Sequence, residues 1–193
     1  MRTLRAFFNE AHAPLMLRDL RSALETAGTV AVPGAAGFTV GAIGLGATAL
    51  ASTDALRPYW LEVWLIAAAA GAVAGALMLG ERRSRGQLLA AAAVKLFARL
   101  LPSLFVGAVL TVVLWRAGVV HAIPGVWLLL YGCALIHASA VATRGLAILG
   151  ALFAALALAA FGLPESQQLA ILGLGFGELH ILHAVVTLRT GVD

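Results

Sequence analysis

Charge is scarce in this chain: Asp, Glu, Lys and Arg together make up 11% of its 193 residues. A soluble domain carries about a quarter. With 62% hydrophobic residues and a mean hydropathy of +0.98, the chain has too little polar surface to enclose a core in water. That excludes a soluble globular domain and places the chain in a membrane. A single cysteine, Cys133, excludes an intramolecular disulfide. The N-terminal charges are not followed by an apolar run and an Ala-x-Ala-like site, so no cleaved signal peptide is expected. His-Glu-x-x-His, Gly-x-Ser-x-Gly, Cys-x-x-Cys and Walker patterns are all missing. No apolar run holds an aspartate in its body, which removes the paired aspartates of intramembrane hydrolysis; no enzyme is expected. The formal charge of +4 does not point to nucleic acid, because no basic patch is interleaved with aromatics.

What the chain does have is length of apolar sequence. A helix needs about 20 apolar residues to cross the hydrocarbon. Six runs meet this, near 28–51, 59–80, 96–117, 124–142, 145–162 and 168–188. The expected fold is all-α: a polytopic membrane protein with a bundle of six transmembrane helices over residues 28–193. Residues 1–27 alternate Arg2, Arg5, Arg18 and Arg21 with Leu4, Phe7, Leu17 and Leu20. They read as an amphipathic segment lying on the cytoplasmic face. The Arg144-Gly145 break separates the fourth and fifth runs, whose combined length is near twice what a bilayer requires.

Basic residues orient the spans. With both termini inside, Arg2, Arg5, Arg18, Arg21, Arg82, Arg83, Arg85, Lys95, Arg99, Arg144 and Arg189 are cytoplasmic, and only Arg57 and Arg116 are outside. This asymmetry points to an inner (cytoplasmic) membrane protein with cytoplasmic termini. Pro58, Pro124 and Pro164 stand where helices start, and proline is tolerated there because the missing N–H has no intrahelical partner. Tyr59, Trp60, Trp64, Trp115 and Trp127 gather at the outer ends as an aromatic belt would. Pro102 falls inside the third run, where a kink is expected. Between the second and third runs, residues 81–99 suggest a surface helix whose basic residues meet lipid headgroups, or more simply a positively charged stop-transfer loop. Gly37/Gly41, Gly71/Gly75 and Gly173/Gly177 form Gly-x-x-x-Gly pairs, suited to packing within the chain first and to a protein partner or homo-oligomer second.

Polar groups inside a membrane are costly and are functional suspects. The last run carries Glu178, His180 and His183. His180 and His183 are three apart and share a face, whereas Glu178 points to another side. On the fourth run Cys133 and His137 also share a face. His137, His180 and His183 are therefore candidates for haem or metal ligation, against the commoner role of hydrogen bonding between helices. Glu62 and Arg116 are candidates for an ion pair across the second hairpin.

The run Leu101-Pro-Ser-Leu-Phe-Val-Gly-Ala-Val-Leu-Thr-Val-Val-Leu, the block Ile123-Pro-Gly-Val-Trp-Leu-Leu-Leu-Tyr-Gly132 and the block Gly175-Phe-Gly-Glu-Leu-His-Ile181 resemble a family of small bacterial membrane proteins without assigned activity. Trp60-Leu-Glu-Val-Trp64-Leu is similar too. The resemblance implies a six-helix inner-membrane fold. In it His180 falls on the family's Leu-His-Ile position, while Glu178 and His183 stand where small residues are expected. Two functional classes follow: a non-catalytic accessory or complex-forming subunit, and a small transporter or channel with a polar interior lined by His137, Glu178, His180 and His183. Haem or metal binding through the histidines is a third.

Overall fold

The computed structural model describes residues 34–84, 89–142 and 144–190. The segment 1–27 and the start of the first run lie outside the described residues. Apart from short turns the described chain is helical, as spans in lipid must be, where each backbone N–H and C=O needs a partner within the segment. Six apolar helices form an all-α polytopic bundle. They are α1 (Gly34–Ala51), α2 (Trp60–Ser84), α3 (Leu89–Arg116), α4 (Ile123–Ala138), α5 (Arg144–Gly162) and α6 (Glu165–Thr190). α2, α3, α5 and α6, and α4 together with the 3-10 turn Val120–Ala122 before it, are long and apolar enough to cross a membrane; α1, shorter in its described part, is apolar as well.

Short turns set the boundaries. Pro58 lies in the 3-10 turn Arg57–Tyr59 before α2, Pro124 lies in the first turn of α4, and Pro164 caps α6. Gly118, at φ 72°, makes the left-handed turn between α3 and α4 that a side chain would disfavour. α4 ends in a 3-10 turn, Ser139–Val141, before α5 begins at Arg144, so the fourth and fifth runs are two helices.

Among the described residues of 81–99 there is no separate surface helix: residues 81–84 end α2 and residues 89–99 open α3. From Leu89 the second half of this segment is continuous with the third run in one helix of 28 residues, which continues through Pro102. Leu89-Ala-Ala-Ala-Ala-Val-Lys-Leu is rich in good helix formers and holds no breaker, so nothing ends the helix there. At 1.5 Å per residue α3 is about 42 Å long, more than the ~30 Å of hydrocarbon, which leaves the turns bearing Lys95 and Arg99 near an interface.

The most extensive contact is α4 on α5. α6 packs on α1 and touches α4 and α5, while α2 lies on α1 and α3 on α4. The core between α4, α5 and α6 holds Leu128, Phe153 and Leu172, all fully buried. Small residues let the backbones meet. A Cβ on Gly132 would sit 2.7 Å from the Gly150 carbonyl oxygen, and one on Gly150 would sit 2.7 Å from that of Gly132. The first and third Gly-x-x-x-Gly pairs are used within the chain: Gly37 and Gly41 face Ala184 and Ile181 of α6, and Gly173 and Gly177 face Thr48 and Leu45 of α1. Gly75 faces Phe97, whereas Gly71 has open space beside it.

Two tryptophans depart from the belt. Tyr59 and Trp115 are exposed near helix ends, but Trp64 is buried against Phe176 at 5.8 Å. Trp127 donates its indole N–H to Thr111 Oγ1 at 2.7 Å, and the Thr111 hydroxyl donates to the Gly107 carbonyl, tying α4 to α3. The hydroxyls of Thr48, Thr187 and Thr190 bond back to their own helices, that of Thr48 to the Gly44 carbonyl.

Candidate functional site

The polar centre of the bundle is built around α6. This helix is not uniform: an α segment, Glu165–Leu172, passes into a π segment, Gly173–Leu179, and returns to α at His180. A π turn is wider than an α turn and shifts the register of everything after it; such turns are frequent at functional sites. Here three buried glycines, Gly173, Gly175 and Gly177, bring the widened turn close to its neighbours. A Cβ at Gly175 would lie 2.6 Å from Leu128 and 3.2 Å from Phe153.

His180, the first residue after the π segment, is only 5% exposed. Its Nδ1 lies 3.3 Å from the Gly175 carbonyl oxygen, and its Nε2 lies 2.9 Å from the Tyr131 hydroxyl. A carbonyl can only accept, so Nδ1 carries the proton; Nε2 then accepts from the Tyr131 O–H. Both ring nitrogens are thereby engaged, one within α6 and one across to α4.

Aromatic rings enclose this pair. Phe176 stacks on the His180 ring at 6.2 Å and 12°, and Phe153 meets it edge-on at 5.3 Å and 76°. Tyr131 lies 4.9 Å from Phe153 and 5.1 Å from Phe176, and Phe153 lies 5.2 Å from Phe176. With Trp64, rings from α2, α4, α5 and α6 join in one cluster in tilted and edge-on geometries, which aromatic pairs favour.

The other sequence candidates stand apart from it. Glu178, two residues before His180, faces outward and is exposed. His183 is half-buried one turn further along α6. His137 is exposed in the last turn of α4, where its carbonyl accepts a long 3.5 Å bond from Arg99. Cys133 is exposed. Glu62, in the first turn of α2, and Arg116, the last residue of α3, are both exposed and form no ion pair with each other. Each sits near a helix end, where its own side chain can reach water. His121 pairs at 3.8 Å with Glu165 in the turns joining the helices, both well exposed.

Among the described residues, no three His, Cys, Asp or Glu side chains converge closely enough to hold a metal ion. His137, His180 and His183 do not form such a group, and the four residues expected to line a polar interior differ in burial: His180 is buried, His183 half-buried, and His137 and Glu178 are exposed. Sequence reasoning singled out His180 but missed Tyr131, Phe153 and Phe176. The available signal was that Tyr131, Phe176 and His180 all fall in the two residue blocks quoted above, Ile123 to Gly132 and Gly175 to Ile181. No family model, curated protein or solved structure matches this chain.

Proposed function

We propose that this chain is a non-catalytic subunit of the bacterial inner membrane, with cytoplasmic termini, whose work is to pack against other membrane components. One observation carries this reading. The buried polar candidate, His180, has both ring nitrogens spent on Tyr131 and Gly175, while Glu178, Cys133, His137, Glu62 and Arg116 face away from the bundle interior. A transport path would need such groups to converge on a shared interior. Here the interior pair acts as a hydrogen-bonded brace between α4 and α6, a use of polar side chains common in membrane bundles. The distribution of Lys and Arg supports the orientation.

The reading is tested by extracting the full chain from its native membrane in mild detergent and determining its protein mass by light scattering. A discrete assembly larger than one 19.8 kDa chain is expected. A single chain alone would overturn the reading.

A further inference from the structure

Glu178 stands near the middle of α6, 13 residues from Glu165 and 12 from Thr190. At 1.5 Å per residue that is about 20 Å and about 18 Å from the two ends. The hydrocarbon is about 30 Å thick, so the carboxyl group lies near mid-depth, too deep for two methylenes to carry it to water. Carboxyl groups at that depth almost always face the interior of a bundle or pair with another group. Among the described residues this one does neither. It sits on an outward stripe between Leu174, 37% exposed, and Leu182, 56% exposed, one turn to either side.

Beside the stripe runs a shallow apolar groove between α5 and α6, lined by Leu152, Ala155, Leu156, Leu174 and Leu179. Ala155 in its lining permits close approach of another helix, as small residues do at membrane interfaces. Among the described residues a second copy supplies no lysine or arginine at that depth. Among the described residues Arg57 precedes α2, Lys95 and Arg99 lie in the first half of α3, Arg116 ends α3, Arg144 starts α5 and Arg189 is in the last turn of α6. His180 is buried and already paired. Copies related by an axis along the membrane normal match depth to depth, and would set Glu178 against apolar side chains or against another Glu178.

Resting on the subunit reading above, we propose that this face seats a transmembrane helix of a different protein that carries a lysine or arginine at mid-span. Its nitrogen donates to the Glu178 carboxylate while its apolar turns fill the groove. Ion pairs of this kind are short, strong and costly to leave half-made in lipid.

A photoreactive benzoylphenylalanine placed at Leu182 tests this in intact cells, with the same residue at Phe105 on α3, 71% exposed, as the control position. The crosslinked peptide is identified by mass spectrometry. The expected adduct is a transmembrane segment of another chain with Lys or Arg near its centre, formed at position 182 and not at 105. Glu178→Gln, isosteric and outward-facing, is expected to lower its yield about tenfold, a loss of one ion pair's order of magnitude. Adducts with lipid only, with a second copy, or with a segment lacking a basic residue would overturn the proposal, as would an unchanged yield in Glu178→Gln. If any of these occurs while the extracted protein is still larger than one chain, the subunit reading stands and this face is not its docking site.

Discussion

The Tyr131 hydroxyl and His180 Nε2, 49 residues apart in sequence, lie 2.9 Å from each other and join α4 to α6 in the centre of the bundle. The bond closes a ring of contacts in which Phe153 and Phe176 shield both partners.

If the pair is a brace, its loss is read in stability. Tyr131→Phe removes the donor and keeps the ring, and should cost about 0.5–1.5 kcal/mol, the range of interhelical hydrogen bonds in membranes. His180→Ala also removes a ring packed against Phe176 and Phe153, and should cost about 3 kcal/mol or more. Unfolding in detergent or bicelles measures both. In the double variant the Tyr131→Phe increment should shrink, because its partner is already gone.

The α4–α5 contact depends on two glycines. Gly132→Ala would place a methyl 2.7 Å from the Gly150 carbonyl and 2.9 Å from the Ala154 nitrogen, both backbone atoms, so the helices must separate. A loss of about 2 kcal/mol is expected, in the range of overpacked cores. Gly46→Ala, with nothing within 4 Å, should be neutral or slightly stabilising, since alanine is the better helix former by about 1 kcal/mol. Equal effects at the two sites in a thermal unfolding comparison would contradict the packing described.

Trp64 and Trp127 should respond differently to phenylalanine. The Trp64 indole N–H is buried with no hydrogen-bond partner among the described residues, whereas that of Trp127 donates to Thr111. Trp64→Phe keeps a ring beside Phe176 and removes an unsatisfied donor whose burial costs about 1–3 kcal/mol. Trp127→Phe breaks a made bond. Unfolding should show Trp127→Phe as the more damaging change, and the reverse order would count against the assigned contacts.

How much of this could be read from sequence follows from what each signal measures. Run length fixes the number of helices in lipid, and the fourth and fifth runs do separate, although the break falls at the 3-10 turn Ser139–Val141 and Arg144-Gly145 opens α5. Helical spacing put Glu178 and His180 on different sides, and they are: one outward, one buried. Spacing within one helix says nothing about Tyr131, which reaches His180 only through the packing of α4 on α6. The π segment is invisible as well, since Gly173-Leu-Gly-Phe-Gly177 reads only as a place of close approach. Trp64 looked like a belt residue because its side of α2 cannot be told from the lipid side when lipid tails are as apolar as leucine. The expected Glu62–Arg116 pair failed for a related reason: facing helix ends do not fix which way long side chains turn.

The most direct test of the account is native mass spectrometry of the protein released from its own membrane, wild type beside Glu178→Gln. The account predicts that wild type carries a companion chain, so that its mass exceeds 19.8 kDa by something other than a multiple of itself, and that Glu178→Gln largely loses that companion. A wild-type spectrum of bare single chains, or of copies of this chain alone, would contradict it.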